Sequence, residues 1–344
     1  MKKYAFLVVV LALAVSCKNS NEKKDTIAYN PEHVELQERA ASIFGTLPTQ
    51  VDNPENVITE EKVVLGQKLY FDNRLSKDNT QSCNTCHDLK TYGVDNLSTS
   101  PGNDGTLGTR NSPTVFNAAL HADQFWDGRE PDVEAQAGGP ILNPVEMAMP
   151  SEEVVVERLL EDANYLDLFK AAFPEDSEPI TYKNIQKAIG AFERKLITPS
   201  KFDDFIAGDI ESLNEKELIG LKVFMDNGCV ACHSGNALGG NIHQKFGIFD
   251  EYWKHTKSEQ IDKGKFEITN KEGDKYVFKS PSLRNIAKTY PYFHDGSVHN
   301  LKDAVSIMGK IQLKKDFTEN ELDAMVAFLN SLTGELPEDI KKTL

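Results

Sequence analysis

The chain is poor in cysteine, in tryptophan and in long apolar runs. Its 344 residues include five cysteines and two tryptophans. Beyond the N-terminus no stretch of apolar residues is long enough to read as a transmembrane helix. Basic residues are also in deficit, 38 against 53 acidic, which gives a net charge of −15. That balance argues against nucleic acid as a partner. The same acidity would steer a basic protein towards the surface, and it serves solubility equally well.

What is present begins with the N-terminus. Lys2 and Lys3 precede an apolar run from Tyr4 to Val15, followed by Ser16 and Cys17. A basic start, an apolar run too short to cross a bilayer and a small residue describe a secretory signal over residues 1–17. Cysteine at the cleavage position resembles a bacterial lipoprotein signal, with Cys17 acylated as the mature N-terminus. Ala14 stands where a larger aliphatic is usual, and a plain cleaved signal is the alternative. Export predicts a periplasmic protein anchored to a membrane only through that lipid. Residues 18–52 read as a tether and N-terminal extension, with Asn19 to Lys24 polar and flexible.

The other four cysteines form two tight pairs, each followed at once by histidine: Cys83-Asn84-Thr85-Cys86-His87 and Cys229-Val230-Ala231-Cys232-His233. Two thioethers three residues apart reach the two vinyl carbons of one haem, and the next histidine turns under the ring. Cys-x-x-Cys-His is accordingly the c-type haem attachment pattern. Redox or zinc use of a Cys-x-x-Cys pair is the alternative, and two copies with histidine in an exported chain oppose it. His87 and His233 are then the proximal ligands, and two covalently bound haems c are expected.

Each motif follows a helical pattern: Val64, Leu65, Leu69 and Phe71 before the first, and Leu218, Leu221 and Phe224, with Asn214 and Glu217 as a capping box, before the second. The chain therefore reads as a diverged duplication. Ser151 caps a helix carrying Val155 and Leu159. Ile185, Ala188, Ile189 and Phe192 mark another that ends before Pro199. Thr318 and Glu321 cap a last one bearing Leu322, Met325, Val326 and Leu329. The fold class is mainly α: two c-type cytochrome domains, at 53–200 and 201–334, with the haems near their interface and a tail at 335–344. The final helix is expected to pack back on the first domain. Residues 91–150 are irregular, and a loop region of that length is usually functional. A short strand is readable at Lys275–Phe278. Met308 lies downstream of the second motif, where an axial methionine often falls, although spacing alone favours a core methionine.

Longer motifs carry a resemblance. Arg110-Asn111-Ser112-Pro113-Thr114, Gln124-Phe125-Trp126-Asp127-Gly128-Arg129 and Gly139-Pro140-Ile141-Leu142-Asn143-Pro144-Val145-Glu146-Met147 resemble the bacterial di-haem cytochrome c peroxidase family. So do Pro281-Ser282-Leu283-Arg284-Asn285 and Pro291-Tyr292-Phe293-His294-Asp295-Gly296. The likeness runs from about Asn53 to Thr333. It implies that the haem on His87 reacts with hydrogen peroxide, and that the haem held by His233 and Met308 accepts electrons from a small cytochrome c or a copper protein. It makes Glu146 the acid/base and Gln136 a hydrogen-bonding neighbour of peroxide. It puts Trp126 between the haems and a calcium ion on Asn111, Thr289 and Pro291. Arg284 and His294 become candidate haem-propionate contacts, and a homodimer is a further expectation.

One departure matters. Many family members place a removable histidine on the peroxide-reactive iron, at the position that is Asn103 here. Asparagine is a poor iron ligand, and His121 is the nearest other histidine in sequence. Two rival functions remain at this stage. A pure electron carrier is opposed by Glu146 and the missing histidine. A protein-modifying oxidase is opposed by Met308, because the related maturation enzymes carry tyrosine there.

Overall fold

The computed structural model describes residues 30–342; the signal reading and Cys17 lie outside the described residues. Helices and irregular loops surround two apolar cores. In the first core the Glu60–Tyr70 helix lies along the Tyr182–Glu193 helix, with Val133–Leu142, Glu152–Leu160 and Ala163–Ala172 around them. The approach is close at Gly66, where an added Cβ would sit 1.9 Å from the Ala188 carbonyl oxygen. The second core repeats the device. Glu215–Asp226 packs on Glu319–Ser331, and a Cβ at Gly220 would lie 1.9 Å from the Ala324 oxygen. Only glycine lets backbones approach this closely without displacing a turn of helix.

The caps read from sequence form. Ser151 accepts from the Val154 amide, and capping boxes close at Asn214/Glu217 and Thr318/Glu321. Elsewhere the structure differs from expectation. The N-terminal extension contains a helix, Pro31–Phe44, whose Leu36, Ala40 and Phe44 join Phe202 and Phe205 in the second core. The Glu319–Ser331 helix packs within that same second core, against Glu215–Asp226, so the expectation that it returns to the first domain is corrected. The tail makes the crossing instead: Leu336 and Ile340 are buried in the first core. Its Glu338–Lys341 helix is too short to bury a face of its own, so its apolar side chains find the nearest established core.

The irregular 91–150 region holds a short 3-10 turn, Ala118–Leu120, and one α-helix, Val133–Leu142, capped by Asp132 and carrying Pro140 inside it. The strand reading is realised as a two-stranded antiparallel pair, His243–Lys245 with Val277–Lys279, in the register His243↔Lys279. Between the cores, Thr198 joins both sides. Its hydroxyl accepts from Asn117 at 2.7 Å and from Asn285 at 2.9 Å, all three residues being fully buried. A satisfied buried network of this kind fixes relative position, because breaking it strands polar groups away from water.

Candidate haem sites

The first attachment turn, Cys83–Cys86, is held by a Ser82/Thr85 capping box, and the His87 amide donates to the Cys83 carbonyl at 3.0 Å. Tyr70, buried in the first core, donates its hydroxyl to the His87 carbonyl at 2.6 Å. His87 is half-buried, and desolvation of its ring favours the neutral form. Its Nδ1 has no well-formed hydrogen bond, although the carbonyls of Gly93 and Pro113 face it. The Cys86 thiol is pushed up to about 11 by burial, and that of Cys83 goes up as well. The two cysteines are not joined in a disulfide.

The second turn, Cys229–Ala231, is built alike, with the His233 amide on the Cys229 carbonyl at 3.0 Å. His233 is buried, and its Nδ1 lies 3.2 Å from the Leu238 carbonyl. That contact fixes the ring and leaves Nε2 for a ligand. A cavity of about 380 Å³ opens here, walled by Cys229, Cys232, His233, Met308, Trp126 and His294. Met308, on the Leu301–Leu313 helix, is half-buried and belongs to neither core, so the cavity wall is its place in the fold. Unpaired, half-buried thiols, an oriented imidazole and a largely apolar cavity fit a covalently attached haem.

Glu146 is brought to the first turn, where its charge bears on the Cys86 thiol. Asn143 donates to its carboxylate at 2.9 Å. Burial raises this carboxyl above the ordinary range, against the opposing pull of Arg129 and the Asn143 bond. Gln136 is half-buried on the Val133–Leu142 helix. Trp126 donates from Nε1 to the Asn111 carbonyl at 2.9 Å. Asn111, Thr289 and Pro291 share one stretch of cavity wall with it; among the described residues no cluster of His, Cys, Asp or Glu forms a metal site.

Two expectations change. Arg284 does not reach the cavity: its guanidinium is bonded to Asp203 at 2.7 and 3.0 Å and to the Asn236 carbonyl at 2.6 Å. A planar guanidinium matched in this way has no donor pair left over for a propionate. His294 does line the cavity, with a buried Nε2 that has no partner. His121 lies against Gly240 and lines the cavity at the second attachment turn, so it is not placed to replace the missing ligand of the first site. Asn103 points elsewhere: its side chain donates to Asp78 Oδ2 at 2.9 Å and accepts from the Asp78 amide at 3.1 Å. Its own amide donates to the Glu146 carbonyl at 2.7 Å.

Several participants were not visible in the sequence. Arg129 lies 3.4 Å above the Phe125 ring and binds both Asp127 oxygens at 3.0 Å. Arg110 joins Asp127 at 2.6 Å to Asp262 at 2.6 and 3.0 Å, tying the two halves together. Glu193 is buried beside Cys83 and Tyr70, and burial pushes its carboxyl up to about 8. The arginines stood within motifs already noted; Arg129 finds its partners within its own motif, whereas Asp262 lies too far along the chain from Arg110 for periodicity to find.

Two Cys-x-x-Cys-His turns on two helical cores define a protein of the two-haem c type. The di-haem cytochrome c peroxidase profile matches residues 60–211, and a cytochrome c profile matches 219–333. The cytochrome c551 peroxidase of Pseudomonas aeruginosa is 45% identical over 88% of this chain and 87% of its own length. That of Nitrosomonas europaea is 44% identical over 85% and 84%. Among solved structures, a MauG-like protein associated with microbial copper homeostasis superposes with a TM-score of 0.76 at 30% identity, covering 85% of this chain and 94% of that one. The chain belongs to the di-haem cytochrome c peroxidase family.

Proposed function

We propose that this chain reduces hydrogen peroxide to two waters, taking two protons from the medium and two electrons from a small periplasmic cytochrome c or copper protein. The observation that carries the reading is the position of Glu146: a half-buried carboxyl at the first attachment turn, hydrogen-bonded by Asn143 and within the field of Arg129. When bound, the haems supply the redox-active iron on which peroxide is reduced and through which electrons arrive. The residues do the rest. Glu146 takes the proton from one peroxide oxygen and returns it to the other, so that water can leave. Gln136 donates a hydrogen bond that orients the peroxide. Trp126 offers a polarisable contact between the two sites. His87 and His233 would each hold the iron of one haem, and Met308 would give its thioether to the haem held by His233 and raise the potential of that site.

The domain division at 53–200 and 201–334 belongs to the same reading. So does a calcium ion held by the Asn111 side chain and the carbonyls of Thr289 and Pro291, with waters completing its shell. Export through residues 1–17, acylation of Cys17 and a homodimer complete it. The test is Glu146→Gln in the holoenzyme. Both haems should remain attached while turnover falls by roughly a hundredfold or more, the scale of a positioned acid/base. Turnover near that of the parent removes Glu146 from the mechanism.

A further inference from the structure

The two tryptophans of the chain stand at opposite ends of one row of rings. Trp126 meets His294 edge-on, with ring centroids 6.4 Å apart. His294 stacks on Phe278 at 4.2 Å and meets Tyr252 at 5.1 Å. Tyr252 meets Trp253 at 5.0 Å, and Trp253 meets Tyr276 at 5.0 Å. The row starts on the cavity wall at Trp126 and His294 and passes through fully buried Tyr252. It ends at Trp253 and Tyr276, which are partly open to solvent.

We propose that this row is an exit for oxidising equivalents: when peroxide arrives and no donor supplies electrons, Tyr252, Trp253 and Tyr276 supply them, and the oxidation ends at the surface. The inference rests on peroxide reduction as proposed above and adds a second electron source. Burial of apolar area would be served as well by leucine or phenylalanine. The row instead sets three easily oxidised rings, Tyr252, Trp253 and Tyr276, in consecutive contact on the way from the cavity to the solvent. His294 and Phe278 resist one-electron oxidation and serve as the contact medium between Trp126 and Tyr252.

The balance closes without an unnamed reagent. Peroxide takes two electrons and two protons to become two waters. In the absence of a donor, two residues of the row give one electron each and release one proton each, the indole proton of Trp253 and the phenol proton of Tyr276, to solvent. Tyr252 is a poor resting place. Its hydroxyl donates to the Asp262 backbone carbonyl at 3.0 Å, which is no base, and burial pushes its phenol well above the ordinary range. An oxidised Tyr252 therefore cannot shed its proton easily, and it recovers an electron from Trp253.

The experiment treats oxidised holoenzyme with stoichiometric hydrogen peroxide and no donor. Freeze-quenched samples are read by EPR for protein radicals, and digests are read by mass spectrometry for oxygenated Trp253 and Tyr276. The parent should show an organic radical signal and oxygenation concentrated at these two residues. Tyr252→Phe keeps the ring and the packing but removes the easily oxidised stop, and should cut Trp253 oxygenation severalfold. Trp253→Phe should change the radical signal while leaving turnover with an added donor as in the parent. Equal Trp253 oxygenation in the parent and in Tyr252→Phe overturns the proposal, since oxidation would then come from solution. Loss of donor-driven turnover in Trp253→Phe overturns it too, because the row would then be an entry path. If the parent fails to turn over peroxide even with donor, the proposed function itself has failed, a result separable from both.

Discussion

The two halves of the molecule are copies that have been given different work. The same sequence offset that carries Pro113 to Pro281 carries Asn117 to Asn285, Phe125 to Phe293 and Gly128 to Gly296. Asn117 and Asn285 share left-handed backbone, at φ 62° and 60°, as do Phe125 and Phe293, at 65° and 71°. Pro113 and Pro281 each turn a carbonyl towards their histidine, His87 or His233. Against that sameness two chemical differences matter for the sites. Trp126 in the first half is His294 in the second. The offset also carries Pro140, inside Val133–Leu142, to Met308, on Leu301–Leu313. Where the second half holds a thioether over its cavity, the first holds a ring with no donor atom. On the function proposed above, the duplication would account for one site closed by methionine and one left open to a small oxidant.

Packing is where breaking either copy should cost most. Gly66→Ala and Gly220→Ala each drive a methyl group into a helix carbonyl, and each should destabilise by roughly 1–3 kcal/mol or more. Thermal melts followed at the Soret band should show Gly66→Ala acting on the first half and Gly220→Ala on the second; no change in either melt refutes the equivalence. Ligand exchange comes next. Met308→Leu should keep both haems attached and lower the potential of the second only. Pro140→Met should do the reverse, closing the first site and suppressing its reaction with peroxide. Redox titration with optical detection reads both; if neither haem changes in Met308→Leu, that methionine is a packing residue.

Local signals carried much of this structure. The attachment turns and the caps at Ser151, Asn214 and Thr318 depend on residues three or four apart, and they were legible. Pro31–Phe44 had its signal too, an asparagine cap with proline at the first helical position, but it sits beside a polar stretch that reads as tether. Val133–Leu142 was hidden by Gly138, Gly139 and Pro140, residues that ordinarily end helices. Arg284 was misassigned because Asp203, 81 residues away, captures it. The Arg110 bridge to Asp262 spans 152 positions and is equally invisible to periodicity. Pairings set by the tertiary fold have no local period to announce them.

A finer difference between the halves lies in charge. Burial raises the Glu146 carboxyl, while Arg129 and Asn143 favour its ionised form. A general base must be ionised to act, so peroxidase activity should fall with decreasing pH along a limb above the ordinary glutamate range. Arg129→Gln withdraws a cation that stabilises the carboxylate, so that limb should move to higher pH. At mildly acidic pH activity drops, and raising the pH restores it, with the Michaelis constant for peroxide little changed. An unmoved pH profile separates Arg129 from Glu146.

The smallest effect should come from Asn103, where the family's removable histidine is absent. Its side chain is satisfied by Asp78 and its amide by the Glu146 carbonyl, so the loop is pinned to protein rather than to iron. A loop held this way gains nothing from the oxidation state of a metal, and the redox-biased switch that a ligating histidine would create loses its strongest contact. The fully oxidised enzyme should therefore show a high-spin ferric EPR signal from the first haem that disappears on peroxide addition, without prior reduction. Asn103→Ala should leave that signal unchanged and cost only about 1 kcal/mol of loop anchoring, the usual net value of a hydrogen bond, seen as faster amide exchange over residues 101–108. Two low-spin haems that ignore peroxide until one electron is added would show that another side chain closes the first site, and the contrast with the Met308 half would then be one of ligand identity rather than of open against closed.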